Sequence, residues 1–298
     1  MDTLFNAPLT FGTGEGIFPD SRARRFLFRE AAFNGMQHIV LTESIVRAFL
    51  QDINKLDIYK KDLADMGLDF VDAHAPYGHL WDPGCLEPEY QRVLVANLRH
   101  VLELTALCGV KTITVHICSA NVPPEVHPVE EYLEHAVKVL RQILPLAEEL
   151  GIIVCIENIW RPTNYVDQLL EIKRQLPTDA LGFCYDSGHA NLTAKGMLDP
   201  ENSCVTRDWN KAGYHDVKWE TKTLEKMLPY IVNCHLHDNH GSRDEHNPPF
   251  DGNIDWAHVA FLLRKAPRLA AVQIEVSPAH HDVSCEHIIN TCKKLSEL

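Results

Sequence analysis

Residues 153–159 read I-V-C-I-E-N-I, 181–188 read L-G-F-C-Y-D-S-G, 231–238 read I-V-N-C-H-L-H-D and 271–277 read A-V-Q-I-E-V-S. Each is a short, nearly unbroken apolar run that stops at a carboxylate or an imidazole. Unbroken rather than alternating apolarity is the pattern of a strand covered on both faces, as in a parallel sheet. Towards the N-terminus the same kind of run recurs at fairly even spacing: 8–13 (P-L-T-F-G-T), 38–43 (H-I-V-L-T-E), 69–76 (D-F-V-D-A-H-A-P) and 112–119 (T-I-T-V-H-I-C-S). Eight runs predict eight strands.

Between the runs lie longer stretches with apolar residues three and four apart, notably 22–35, 90–109 and 129–151, which predict amphipathic helices. Gly109 and Gly151 end two of them, where a left-handed C-cap would lead straight into the next strand. Alternating strands and helices give either an open doubly wound sheet or a barrel, and the count of eight favours the α/β class in its (β/α)₈ TIM-barrel form. A length of 298 residues fits one such domain spanning 1–298. Residues 193–220 are longer and more irregular than an ordinary loop of this kind. With Trp209, Tyr214, His215 and Trp219, this stretch is expected either to cover a substrate or to pack on the barrel rim.

With 45% hydrophobic and 23% charged residues, the chain has the balance of a folded globular protein rather than a disordered one. The formal charge of −13 works against phosphate backbones and anionic membranes at long range, so a small-molecule substrate is expected and nucleic acid is not. The N-terminus has no basic segment followed by an apolar one, and no apolar run is long enough to span a bilayer, which predicts a cytoplasmic protein without membrane partners. Of nine cysteines, Cys155, Cys184 and Cys234 sit inside strand-like runs and no C-x-x-C pair occurs, so buried reduced thiols are expected.

The chemistry lies at the ends of the runs. His74 closes the third, His116 the fourth, Glu157 the fifth, Asp186 the sixth, His235 the seventh and Glu275 the eighth. Strand C-termini of a barrel converge on one pocket, so residues far apart in sequence should meet there. A single buried carboxylate could be explained by a salt bridge. Three in one pocket repel one another unless cations intervene, and a divalent metal ion resolves that conflict. Mixed carboxylate and imidazole ligation suits Mn²⁺ or Zn²⁺, with Mg²⁺ and Co²⁺ also admissible. His189 in D-S-G-H, and Asp244 and His246 in R-D-E-H, would either add ligands or orient the others.

The motifs D-A-H-A-P-Y (72–77), T-V-H (114–116), I-E-N (156–158), Y-D-S-G-H (185–189), H-L-H-D-N-H (235–240) and the stretch from Arg243 to Trp256 resemble the xylose-isomerase-like barrel superfamily over nearly the whole chain. Its sugar phosphate isomerase/epimerase branch implies one divalent ion on Glu157, Asp186, His235 and Glu275, acting as a Lewis acid for an enediolate. Glu157 and Glu275 would then move the proton, and His189 would hold a substrate oxygen. The related apurinic endonucleases imply a trinuclear zinc site that adds His74, His116, His189, Asp244 and His246, and all nine positions are filled here. The acidic balance and the lack of a basic, aromatic-rich tract favour the isomerase reading. A catalytically idle binding protein is the third option. Tyr77 could be a wall of a sugar pocket or a wedge. Phe250 and Asp251 stand before Gly252 where relatives carry another pattern, which predicts a locally altered loop, and Arg243 falls outside the register of the arginine found in ketohexose epimerases. The resemblance also admits a homo-oligomer.

Overall fold

The computed structural model describes residues 2–13, 21–117 and 127–298, so Cys118 and Ser119, at the end of the fourth run, lie outside the described residues. Its strands are β1 (Thr3–Leu4), β2 (Ala7–Phe11), β3 (His38–Leu41), β4 (Asp69–His74), β5 (Thr112–Val115), β6 (Ile153–Glu157), β7 (Leu181–Asp186), β8 (Ile231–Leu236) and β9 (Ala271–Ile274). Its α-helices are α1 (Ser21–Phe33), α2 (Glu43–Gln51), α3 (Asn54–Ala64), α4 (Pro88–Leu107), α5 (Val129–Leu150), α6 (Val166–Gln175), α7 (Ser187–Lys195), α8 (Cys204–Lys211), α9 (Thr223–Met227), α10 (Trp256–Leu263), α11 (Pro278–His281) and α12 (Cys285–Glu297). β2 to β9 pair in parallel in chain order, and β9 returns to β2 through Leu9–Val272, Thr10–Gln273 and Phe11–Ile274, which closes an eight-stranded barrel.

The apolar runs are strands because both of their faces are covered. Every residue of β5, β7, β8 and β9 is buried, with one face turned to the barrel interior and the other to the helix ring. α5 buries Leu133, Ala136, Val137, Leu140, Ile143, Leu144 and Ala147, the three- and four-residue spacing read from the sequence. Gly151 caps it in the left-handed conformation (φ 64°, ψ 38°), and Gly109 (φ 80°) follows α4 in the same way.

One strand has no counterpart among the eight apolar runs. β1 pairs antiparallel with the start of β2 across Phe5 (φ 53°) and Asn6 (φ 67°). This hairpin buries Leu4 and Phe5 at the N-terminal end of the barrel, the end opposite the carboxylates. Phe at positive φ is rare, which is why no turn was legible there.

Residues 193–220 follow β7. They carry the end of α7, a 3₁₀ turn and α8, and join Trp160, Tyr165 and Leu192 in a small apolar cluster in which Tyr165, Leu192, Cys204, Val205 and Trp209 are buried and Trp160, Tyr214 and Trp219 lie against them. No helix among the described residues is long and apolar enough to cross a membrane. The eight described cysteines are all free, and Cys155, Cys184 and Cys234 are fully buried.

Candidate metal centre

The strand ends bring the expected residues together. Glu157 and Asp186 are the last residues of β6 and β7, His235 is next to last in β8, and Glu275 directly follows β9. His235 Nδ1 sits among three carboxylates, 3.5 Å from Glu157 Oε1, 3.9 Å from Asp186 Oδ2 and 3.2 Å from Glu275 Oε2. Neither this nitrogen nor Glu157 Oε2 makes a well-formed hydrogen bond, although both are buried. Beneath them, Thr114 Oγ1 lies 3.3 Å from His235 Nε2 and accepts from Asn233, whose amide also reaches the buried carboxylate of Asp72. The imidazole is thus seated on a polar layer in the barrel centre.

The other histidines are oriented by backbone. A ring nitrogen facing a carbonyl must donate, so the Nδ1–H groups of His74, His189 and His246 donate to Ala75 O (2.8 Å), Asn158 O (2.9 Å) and Glu275 O (3.0 Å). Each Nε2 is then turned away from the backbone and into the cluster. His74 Nε2 is 3.2 Å from His116 Nε2, which is 2.9 Å from Glu157 Oε2. His189 Nε2 and His246 Nε2 face Asp244 Oδ2 at 3.7 and 3.1 Å. Imidazoles pinned by one nitrogen with the other turned on acidic oxygens are the usual preparation of a metal ligand.

D-S-G-H is a helix start as well as a ligand motif. Asp186 caps α7 by accepting from His189 N at 2.6 Å, and Asn158 clamps the Asp186 backbone from both sides (3.0 and 2.8 Å). Gly188 makes room for the second histidine of H-L-H, to which the sequence assigned no role, because a Cβ there would stand 2.0 Å from the ring of His237. His237 is fully buried, places Nε2 3.1 Å from Asp186 Oδ2 and stacks on His246 at 3.9 Å. The two-residue period of a strand, applied to H-L-H, would have found it.

Without an ion, charge is shared among these groups. Burial disfavours a charged imidazole, yet Asp186 and Asp244 hold the His189 proton affinity well above the ordinary range, and His246 is pushed up to about 9 against burial by its contact with Asp244 and by Glu275. Burial would raise the Glu157 and Glu275 carboxyls, but the neighbouring imidazoles, His116 and His235 for Glu157 and His235 and His246 for Glu275, hold both below the usual carboxylate range. A site that recruits protons to balance three carboxylates can take a divalent ion in their place.

Above this floor a cavity of about 430 Å³ is lined by His74, Tyr77, His116, Glu157, Trp160, Arg161, His189, Asp244, His246 and Glu275. The volume is ordinary for a small-molecule site. Asp186 and His235 are not among its lining residues, so they would hold an ion from below while Glu157 and Glu275 face a substrate. Tyr77 is half exposed and lies over His116 with ring centroids 5.4 Å apart. Trp160 and Arg161, also unforeseen, come from the connection after β6. Trp160 packs on His189 (4.9 Å) and is held by the 193–220 segment, donating to Asp208 (2.9 Å) and accepting from Trp209 (2.8 Å). The segment therefore reaches the cavity through Trp160. Arg243 does not line the cavity, whereas Arg161 does.

Similar folds are known among solved structures. A D-tagatose 3-epimerase-like protein superposes with a TM-score of 0.73 at 18% identity, covering 97% of this chain and 98% of the other. The IOLI protein with a bound zinc atom gives 0.69 at 18% identity, over 97% of this chain and 96% of the other. In sequence, the chain is 24% identical over 237 residues to the uncharacterized protein MJ1311 of Methanocaldococcus jannaschii, across 78% of this chain and 72% of that one. The profile of the xylose isomerase-like TIM barrel family matches residues 27–283, and the chain belongs to that family.

Proposed function

We propose that this protein is a divalent-metal-dependent isomerase or epimerase of a sugar or sugar phosphate. The observation that carries this reading is the placement of Glu157 and Glu275, which flank His235 and both face the cavity. Two of the solved neighbours point the same way, one being described as D-tagatose 3-epimerase-like and the other carrying zinc.

Glu157, Asp186, His235 and Glu275 would hold the ion. Once bound, Mn²⁺ or Zn²⁺ supplies Lewis-acid polarisation of a carbonyl, which acidifies the neighbouring C–H. The protein's own groups do the rest. Glu275, partly open, and Glu157, more deeply buried, both face the cavity and take and return a proton at adjacent carbons or opposite faces. His189, whose Nδ1 is committed to Asn158, turns Nε2 towards the cavity and holds a substrate oxygen. Tyr77 and Trp160 wall the pocket against water.

The test is turnover of a panel of aldoses, ketoses and their phosphates in D₂O with Mn²⁺ or Zn²⁺. Solvent deuterium appearing at the reacting carbon is the expected result, and a product that keeps its original hydrogen would remove the two-carboxylate proton transfer.

One observation favours a second reading. His74, His116, His189 and His246 all turn a nitrogen on carboxylates or on one another, a larger donor set than one ion uses. It would serve a trinuclear zinc phosphodiesterase of the apurinic endonuclease type. The net charge of −13 places that reading second.

A further inference from the structure

The connection from β4 to α4 assembles a donor set that shares no residue with the barrel-top centre. His79 Nδ1 lies 3.1 Å from Glu87 Oε1, and Cys85 Sγ lies 2.8 Å from Glu87 Oε2. The sulfur, nitrogen and oxygen are all within 4.8 Å of one another. Cys85 is buried, while the side chains of His79 and Glu87 are 32% and 26% exposed.

We propose that His79, Cys85 and Glu87 bind a zinc ion, with water in the fourth position, as a clip on this loop. The donor chemistry selects the ion. Without an ion the Cys85 thiol donates its proton to Glu87 Oε2, and a zinc ion would take the place of that proton. One sulfur, one imidazole and one carboxylate form a borderline-soft set that suits Zn²⁺ and not Mg²⁺ or Ca²⁺. The loop is also shaped in advance. Cys85 N donates to Asp82 O (3.0 Å), Gly84 N to Asp82 Oδ1 (2.8 Å) and Gln91 to Leu86 O (2.9 Å), while His135 on α5 ties down Pro83 O (2.8 Å). The His79 ring rests on Tyr90 of α4 at 4.9 Å. Little chain entropy is then left to lose when the ion enters.

The clip bears on the cavity because the same loop carries Tyr77 and Gly78, two of its lining residues. Arg47 holds the Tyr77 carbonyl from the α2 side at 2.8 Å, and zinc would fix the other end of the loop.

The test compares the chelator-stripped full-length protein with Cys85→Ser and His79→Gln, each saturated with zinc, desalted and counted for metal. Both variants are expected to hold about one zinc per chain fewer than the parent, at unchanged helix and strand content by circular dichroism. With Co²⁺ in place of zinc, the near-ultraviolet thiolate-to-metal band is expected to vanish in Cys85→Ser. Equal zinc counts in all three proteins would overturn the proposal. So would a cobalt band that survives Cys85→Ser, since its thiolate would then be Cys184, beside His235 and Glu157. If Cys85→Ser does not fold, the zinc count of His79→Gln decides. None of these readouts depends on sugar turnover.

Discussion

The strand-borne and loop-borne halves of the crown are built by different means. Glu157, Asp186, His235 and Glu275 stand at the ends of four adjacent strands, so barrel closure alone delivers them to one place. Asp244 and His246 lie on the long connection between β8 and β9, which has no such frame. Its frame is one buried carboxylate. Asp238 accepts from Asn239 N (2.9 Å), Phe250 N (3.0 Å), Ile254 N (3.3 Å) and Trp256 Nε1 (2.7 Å), and its backbone pairs both ways with Asn247. That anchoring holds His246 and Phe250 at positive φ (52° and 78°), conformations unfavourable for these side chains. The strand half owes its geometry to the fold, and the loop half to a few hydrogen bonds. The first should therefore govern chemistry and the second metal count and substrate choice.

The comparison can be broken most sharply at the carboxylates. Glu157→Gln and Glu275→Gln should each lower kcat by about 10³-fold while the barrel stays folded, as expected when a positioned acid or base is removed. Steady-state rates and circular dichroism on both variants check this, and retained turnover in both would sink the assigned roles. Next comes the seam between the halves. Gly188→Ala drives a methyl group into the His237 ring and should cost about 2–3 kcal/mol of stability, read by urea unfolding, with metal affinity falling alongside.

His74→Ala and His116→Ala should cost only about tenfold in activity if one ion does the work, and far more if these nitrogens are ligands of further ions. Comparing their rates with those of the two glutamine variants sharpens the distinction. The smallest effect concerns pH. His246 is raised from 6.5 to about 9 in the metal-free protein, so its contribution to stability is complete below pH 6.5 and is lost as pH rises through 9. The Tm of the stripped protein should fall across that window. Metal affinity should rise across it, because fewer protons must be displaced. A Tm that climbs with pH in the stripped protein would show that His246 is not held charged by Asp244.

Much of this arrangement was legible from pattern alone, for physical reasons. Strands buried on both faces are written as unbroken apolar runs, so a carboxylate or imidazole ending such a run stands out, and the six strand-end residues were found in that way. His237 ends no apolar run, since it lies one residue past β8, although strand alternation points it the same way as His235. Trp160, Arg161 and the Asp238 anchor depend on how connections curl back over the barrel, which no periodicity encodes. The Phe5–Asn6 turn was invisible because it uses a residue that turns seldom use. The segment around Phe250–Gly252 wraps on Asp238 through Phe250 N and Ile254 N, contacts that no local pattern announces.

The most direct test of the central claim is the metal content of the Cys85→Ser protein purified without chelator, measured by inductively coupled plasma mass spectrometry, with the proposed loop site removed from the count. About one divalent ion per chain, lost on His235→Ala, is the predicted result. Close to three zinc ions per chain, together with cleavage of phosphodiesters, would contradict the single-ion isomerase account and make the loop-borne histidines ligands.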